Sequence, residues 1–325
     1  MIAGVLNPDV VSAETLKRKE KQISSIELPS ERSKYSKTYL NKDGSYTTDI
    51  ALDPIHYQKD GRWLEIDNTL SEKSNLIVSE DHDFNINFSK KLSQNINLLE
   101  MEDENYKIEL RPLPNELNKP MTKNAVVYEL NENTISYTNI FDKTIVKYSL
   151  NNDRVKEEII LEEAPTIEDN LKYSFALTLE NLTYEEQNDG IILLKDKATG
   201  ETKYYIDVPV MYDSFVPKDF KKNKEVDVLP EEATSYDIKY DVKEDDGRLI
   251  LDLIPSMEWL KSESRIYPVT LDPTIIKFQP KYGVSDTNIR SYFPTQTAPT
   301  ETTLGVGLYK DSSQENIIRS VIQVN

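Results

Sequence analysis

Asp83 to Ser89 reads DFNINFS, with Phe84, Ile86 and Phe88 at alternate positions and aspartate or asparagine between them. A period of two puts the three apolar side chains on one face of a strand and the polar ones on the other. The same pattern recurs in YKIELRPL, AVVYELN, NTISYTNI, KTIVKYSL, VKEEIILEE and KYSFALTLENL, all rich in β-branched residues and tyrosine. Turn chemistry separates the runs: Lys42-Asp43-Gly44, Asp60-Gly61, Asn151-Asn152-Asp153, Ala198-Thr199-Gly200 and Asp246-Gly247. Asp-Gly supplies the positive φ of a tight hairpin turn at little steric cost. Short strands with closely spaced turn signals predict an all-β chain of antiparallel, β-sandwich-like modules. Helical stretches do not alternate with the strands, which argues against a parallel α/β sheet. The one helical turn expected lies in PSMEWLKSES, with Ser256 as its N-cap.

Boundaries follow from changes in this pattern. Residues 1–34 are expected to be a truncated leader and a charged linker, because MIAGVL is apolar and Val11 and Ala13 stand where a signal peptidase takes small residues. Residues 35–165 are expected to form an N-terminal β module, 166–276 a second one ending at YPVTLDPT, and 277–325 part of a third. In RIYPVTLDPT, the prolines 268 and 273 fit the ends of a strand, and Asp272 is expected to end it and turn the chain onward.

Composition narrows the function classes. Nineteen tyrosines, 8 phenylalanines and 2 tryptophans are enough to bury a core, which argues against disorder outside the ends of the chain. A net charge of −18 disfavours a basic nucleic-acid-binding face. Cysteine is absent, which removes disulfides, thiolate metal sites and a cysteine nucleophile. No apolar run is long enough for a transmembrane helix.

Candidate chemistry is sparse. The two histidines, His56 and His82, lie in different hairpins, and no nucleophile motif accompanies either. Asp81, Asp83, Asn85 and Asn87 have a calcium-loop spacing, but Ile86 stands where that loop needs glycine and Leu92 where it needs glutamate. A solvated strand face explains the four better. Trp63, Tyr204 and Tyr205 are weak candidates for a sugar-stacking platform; cross-strand packing is the competing reading. Neither a metal site nor a cofactor motif is recognised.

Four phrases in order resemble a known family. ERSKYSKTYLNKDGSYTTDIALDPIHYQKDGRWLEIDNTL, ISYTNIFDKTIVKYSLNNDRVKEEIIL, DGIILLKDKATGETKYYIDVPVMYDS and WLKSESRIYPVTLDPT are similar to the N-terminal region of wall-associated, YD-repeat (Rhs-type) proteins of Gram-positive bacteria. DTNIRSYFPTQ, LGVG and RSVIQV then resemble the first strands of a DNRLRE-type β-sandwich module. The resemblance implies a secreted or cell-wall-associated polypeptide used in export, wall association and presentation. The family's complete form would carry YD repeats and a C-terminal toxin in cis, and cell-wall polymers or other surface proteins would be its partners. It implies no catalytic residue here, so the chain is expected not to be an enzyme and to need no cofactor. A carbohydrate-binding module or a wall-polysaccharide enzyme is the alternative reading.

Overall fold

The computed structural model describes residues 25–51, 53–91, 96–120, 126–167, 171–217, 230–245 and 248–277, and the backbone of 285–290, 307–310 and 315–323. The expected leader, the Asp246-Gly247 turn and Leu92 lie outside the described residues. The chain divides into two compact units, Met1–Lys277 and Phe278–Asn325. In the second unit, Ser285–Arg290 and Gly307–Lys310 each pair antiparallel with Glu315–Gln323.

The first unit is built on two large sheets whose pairs are antiparallel. An eight-stranded sheet runs in the order Ile238–Asp245, Arg248–Pro255, Tyr173–Glu180, Lys107–Pro112, Leu99–Glu102, Asn85–Ser89, Leu76–Ser79, Ser71–Lys73. An eleven-stranded sheet starts Val127–Asn131, Thr134–Thr138, Thr144–Asn151, Arg154–Leu161 and continues through Thr274–Lys277, Thr202–Ile206, Ile192–Asp196 and Leu182–Glu186. Alternation decides which faces turn inward. Along Thr144–Asn151 burial alternates residue by residue, and Phe84, Ile86 and Phe88 are buried while Asn85 is exposed.

The inner faces of both sheets contribute to one apolar core. The Phe88 ring lies 5.2 Å from that of Tyr148, and Phe141 meets Phe175 edge-on at 5.8 Å. The buried Tyr137 hydroxyl donates to the Ser89 carbonyl at 2.9 Å, so its polar end is satisfied inside the core. The result is the all-β, antiparallel, sandwich-like architecture that the alternation predicts.

The expected division at residue 165/166 is corrected. Lys107–Pro112, from the first proposed module, pairs with Tyr173–Glu180 from the second. Arg154–Leu161 likewise pairs with Val269–Asp272 and with Thr274–Lys277. Both sheets and the core draw strands from both stretches. Sequence reasoning missed this because local alternation identifies a strand and its inward face but carries nothing about its non-local neighbours.

The RIYPVTLDPT phrase sits inside the large sheet. Ile159–Leu161 pair with Val269–Leu271, while Arg154–Lys156 pair with Thr274–Ile276. Pro273, which has no N–H, interrupts the ladder between them. Beyond the break the two pieces take different neighbours: Val269–Asp272 pairs with Val210–Tyr212, and Thr274–Lys277 with Thr202–Ile206. Asp272 does end a strand, and its carboxylate accepts from Thr274 Oγ1 at 2.7 Å and pairs with Lys156 at 3.1 Å. Upstream, the Tyr267–Pro268 bond is cis, and the Arg265 guanidinium pairs with buried Asp213 at 3.0 Å and lies 4.3 Å from the Trp259 ring centre. Trp259 belongs to the helical turn Met257–Leu260, whose N-cap Ser256 accepts from its amide as expected.

Two smaller sheets precede the sandwich. His56–Lys59 and Arg62–Glu65 form a hairpin across Asp60-Gly61, both with positive φ (51° and 73°). Ile26–Glu27, Ser36–Leu40 and Tyr46–Ile50 form a three-stranded sheet. Part of the expected linker is therefore strand: Ile26 lies opposite Leu40.

Candidate functional site

A polar cleft of about 660 Å³ opens beside the end of the sandwich where Asn85–Ser89 and Leu99–Glu102 begin and end. Its walls include Lys59 of the Asp60-Gly61 hairpin, His82 and Asp83 of the segment before Asn85, Asp103 and Tyr106 of the turn after Leu99–Glu102, and Lys277. The turn is fixed locally. Asp103 Oδ1 accepts from the amides of Asn105 and Tyr106 at 3.1 and 3.0 Å. Aspartate is favoured there because its short carboxylate reaches backbone two residues on.

Lys277 ties the two acidic segments together. Its Nζ lies 3.2 Å from Asp103 Oδ2 and 3.5 Å from Asp83 Oδ2, and it donates to the Asp83 carbonyl at 3.0 Å. The ammonium also lies 5.8 Å from the Phe84 ring centre and 5.9 Å from that of Tyr204. Lys34 approaches Asp83 from the opposite chain end at 3.3 Å. Burial pushes the Asp103 carboxyl up, but the Tyr204 hydrogen bond, the Lys277 charge and the two backbone amides outweigh it and hold it below its usual range. Asp103 is thus a fixed anion whose charge is already balanced. Nearby, the Tyr106 hydroxyl donates to Asp196 at 2.6 Å, and with the Thr199 and Ala198 amides it holds that carboxyl down to about 2.

The sequence candidates do not converge. Tyr204 is buried and its hydroxyl donates to Asp103 at 2.5 Å, so it props the cleft from behind. Tyr205, its neighbour on the same strand, points to the opposite face. Trp63 is half-buried on the separate hairpin. The three form no common row of exposed rings. Asp81 accepts from the Tyr57 hydroxyl at 3.3 Å, and Asp83 is taken up by the two lysines, while Asn85 and Asn87 share one strand face. Among the described residues no group of three His, Asp or Glu could hold a metal ion. Both histidines bond backbone carbonyls, His56 to Ser33 at 2.6 Å and His82 to Asn151 at 3.0 Å. Sequence reasoning found Asp83 and His82 but missed Asp103, Tyr106 and Lys277. Their positions come together only through strand register, since Lys277 and Asp83 are 194 residues apart.

The chain is similar to wall-associated proteins of bacilli. It is 27% identical over 278 residues to the tRNA nuclease WapA of Bacillus subtilis (strain 168), which is 83% of this chain and 11% of that protein. The tRNA(Glu)-specific nuclease WapA of Bacillus subtilis subsp. natto (strain BEST195) is 27% identical over 277 residues, again 83% of this chain and 11% of the relative. The wall-associated protein of Geobacillus stearothermophilus is 28% identical over 200 residues, 58% of this chain and 76% of that protein. The chain therefore spans about a tenth of the length of the nucleases it matches. No family model and no solved structure matches it. These relatives agree with a wall-associated, Rhs-type protein of Gram-positive bacteria and with association with the cell wall. Among the described residues no helix is long and apolar enough to cross a membrane.

The expectation that the protein is not an enzyme is corrected by the same comparison, because relatives that it matches over most of its length are named as tRNA nucleases. The aligned stretch spans 11% of each of these relatives.

Proposed function

We propose that this chain belongs to a secreted, wall-associated toxin protein of the Rhs type whose whole form cleaves tRNA, and that residues 26–277 serve wall association and presentation. The observation that carries this reading is the breadth of the match: 83% of the chain aligns with tRNA nucleases, and a wall-associated protein aligns along 76% of its own length. The fold supports it. A sandwich with one continuous core is a rigid platform, and its functional groups sit on the loops and strand ends that it positions. We assign residues 277–325 to the start of a DNRLRE-type module on their resemblance to its first strands.

Cell fractionation tests the reading in the organism. Antibody raised against the purified chain should detect it in the wall fraction, and cells lacking the gene should lose a tRNA-cleaving activity against neighbouring cells. Detection in the cytosol alone, or an unchanged activity in the deletion strain, would overturn it.

A further inference from the structure

The three-stranded sheet ends in an uncovered strand. Among the described residues, Tyr46–Ile50 pairs only with Ser36–Leu40, and all five of its residues are exposed. The Ala51 amide donates to the Tyr35 carbonyl, and the Asn41 amide to the Ser45 carbonyl. In this register positions 45, 47, 49 and 51 turn their backbone groups toward the neighbouring strand. The N–H and C=O of Tyr46, Thr48 and Ile50 therefore point the other way, along the open edge. The side chains of these three share a face with Ile26, Leu40, Thr38 and Ser36, and that face holds no charge. Tyr46 and Ile50 are 67% and 56% exposed on it.

An open strand edge is a template for another strand, and proteins blunt the edges that must stay single with charge or shortness. The end strands of the two large sheets follow that rule. Ser71–Lys73 is three residues long, Ile238–Asp245 mixes lysines with acids, and Leu182–Glu186 ends in two glutamates. Val127–Asn131 carries Glu129 at its centre, where pairing with a copy would set like charges opposite. Tyr46–Ile50 has the single charge of Asp49, which lies opposite Lys37 in its own sheet. Its sequence also fits itself. Antiparallel pairing with a second copy about Thr48 sets Thr48 opposite Thr48, Tyr46 opposite Ile50, and Thr47 opposite Asp49. The three outward residues of each strand then exchange N–H and C=O bonds, the Tyr–Ile pairs cover exposed apolar surface, and no two like charges meet across the pair.

We propose that Tyr46–Ile50 is a self-association edge, through which two copies of this chain join their three-stranded sheets into one six-stranded sheet about a two-fold axis at Thr48. One strand pair covers less than the ~1,200 Å² of a stable interface, so the dimer forms at high concentration. The net charge of −18 opposes association, and salt strengthens it by screening that repulsion.

Sedimentation equilibrium of the 325-residue chain, from about 10 μM to about 1 mM and in low and high salt, tests the edge. A monomer–dimer equilibrium that tightens with salt is expected. Thr48→Lys should weaken it about tenfold or more, because it sets two ammonium groups opposite each other at the axis. Thr48→Pro should do the same by removing an N–H that points outward and that its own sheet does not use. The sequence has no cysteine, so Thr48→Cys carries a single thiol, and mild oxidation should link two copies through it. Tyr46→Cys should not link, because its counterpart lies four residues along the pair, about 13 Å away. Thr48 is exposed, so Thr48→Lys and Thr48→Cys keep the test meaningful if Thr48→Pro fails to fold. A monomer at every concentration, a dimer unchanged by Thr48→Lys, or linkage through Tyr46→Cys as ready as through Thr48→Cys overturns the assignment. Capture of an extended peptide at this edge by a chain that stays monomeric overturns the second copy as its occupant.

Discussion

Glu157 is the least comfortable residue of the core. It sits on the inward face of Arg154–Leu161, between Val155 and Ile159, with the Tyr148 hydroxyl donating to it at 2.5 Å. Burial pushes its carboxyl up to about 8, against the Tyr148 hydrogen bond and helped by the nearby Asp272 charge. Between the ordinary value of 4.5 and about 8 the folded chain holds a proton that the unfolded chain has lost. Stability therefore falls as pH rises through that window and levels off above it. His82 acts in the opposite sense: with its pKa pushed from 6.5 down to about 4, the unfolded chain takes up a proton that the fold refuses. Its contribution is lost as pH falls through that range. From about pH 6.5 to 8 Glu157 acts alone of the two. Glu157→Gln, which is neutral at every pH, should flatten the urea-unfolding free energy across this window, removing a fall on the order of 2 kcal/mol. An unchanged slope would show that Glu157 titrates normally. Asp213→Ala should cost about 3–5 kcal/mol, because it strands the Arg265 guanidinium in a largely buried site; its melting temperature checks this.

At the scale of elements, the sandwich depends on rings that cross between the sheets. Phe88→Ala should destabilise by about 3–5 kcal/mol in equilibrium unfolding, since it empties a fully buried site against Tyr148. Gly61→Ala should cost about 1–2 kcal/mol, because φ is +73° there and open space leaves conformation as the only cost. How much was legible varies with the range of the signal. DFNINFS, the Asp60-Gly61 turn and the Ser256 cap could be read because alternation, positive-φ chemistry and capping are local. The cleft could not be read, because Asp103, Tyr106 and Lys277 meet only after strands distant in sequence pair. Tyr204 and Tyr205 misled as a pair for a related reason: neighbours on a strand face opposite ways, so one joins the cleft's support and the other does not.

Across the whole molecule, the interleaving of strands from either side of residue 165/166 means that neither stretch holds a complete sheet set. Residues 26–277 should unfold in one transition by calorimetry, with the van't Hoff and calorimetric enthalpies equal, whereas 35–165 and 166–276 made separately should show no cooperative melting. Two independent transitions in 26–277 would restore the two-module division. The wall-association reading, which gives this architecture its purpose, is tested most directly by co-sedimentation of the purified chain with isolated Gram-positive cell walls. The account predicts that the chain pellets with the walls and is released by a soluble wall glycan; a chain that stays in the supernatant across physiological salt and pH would contradict it.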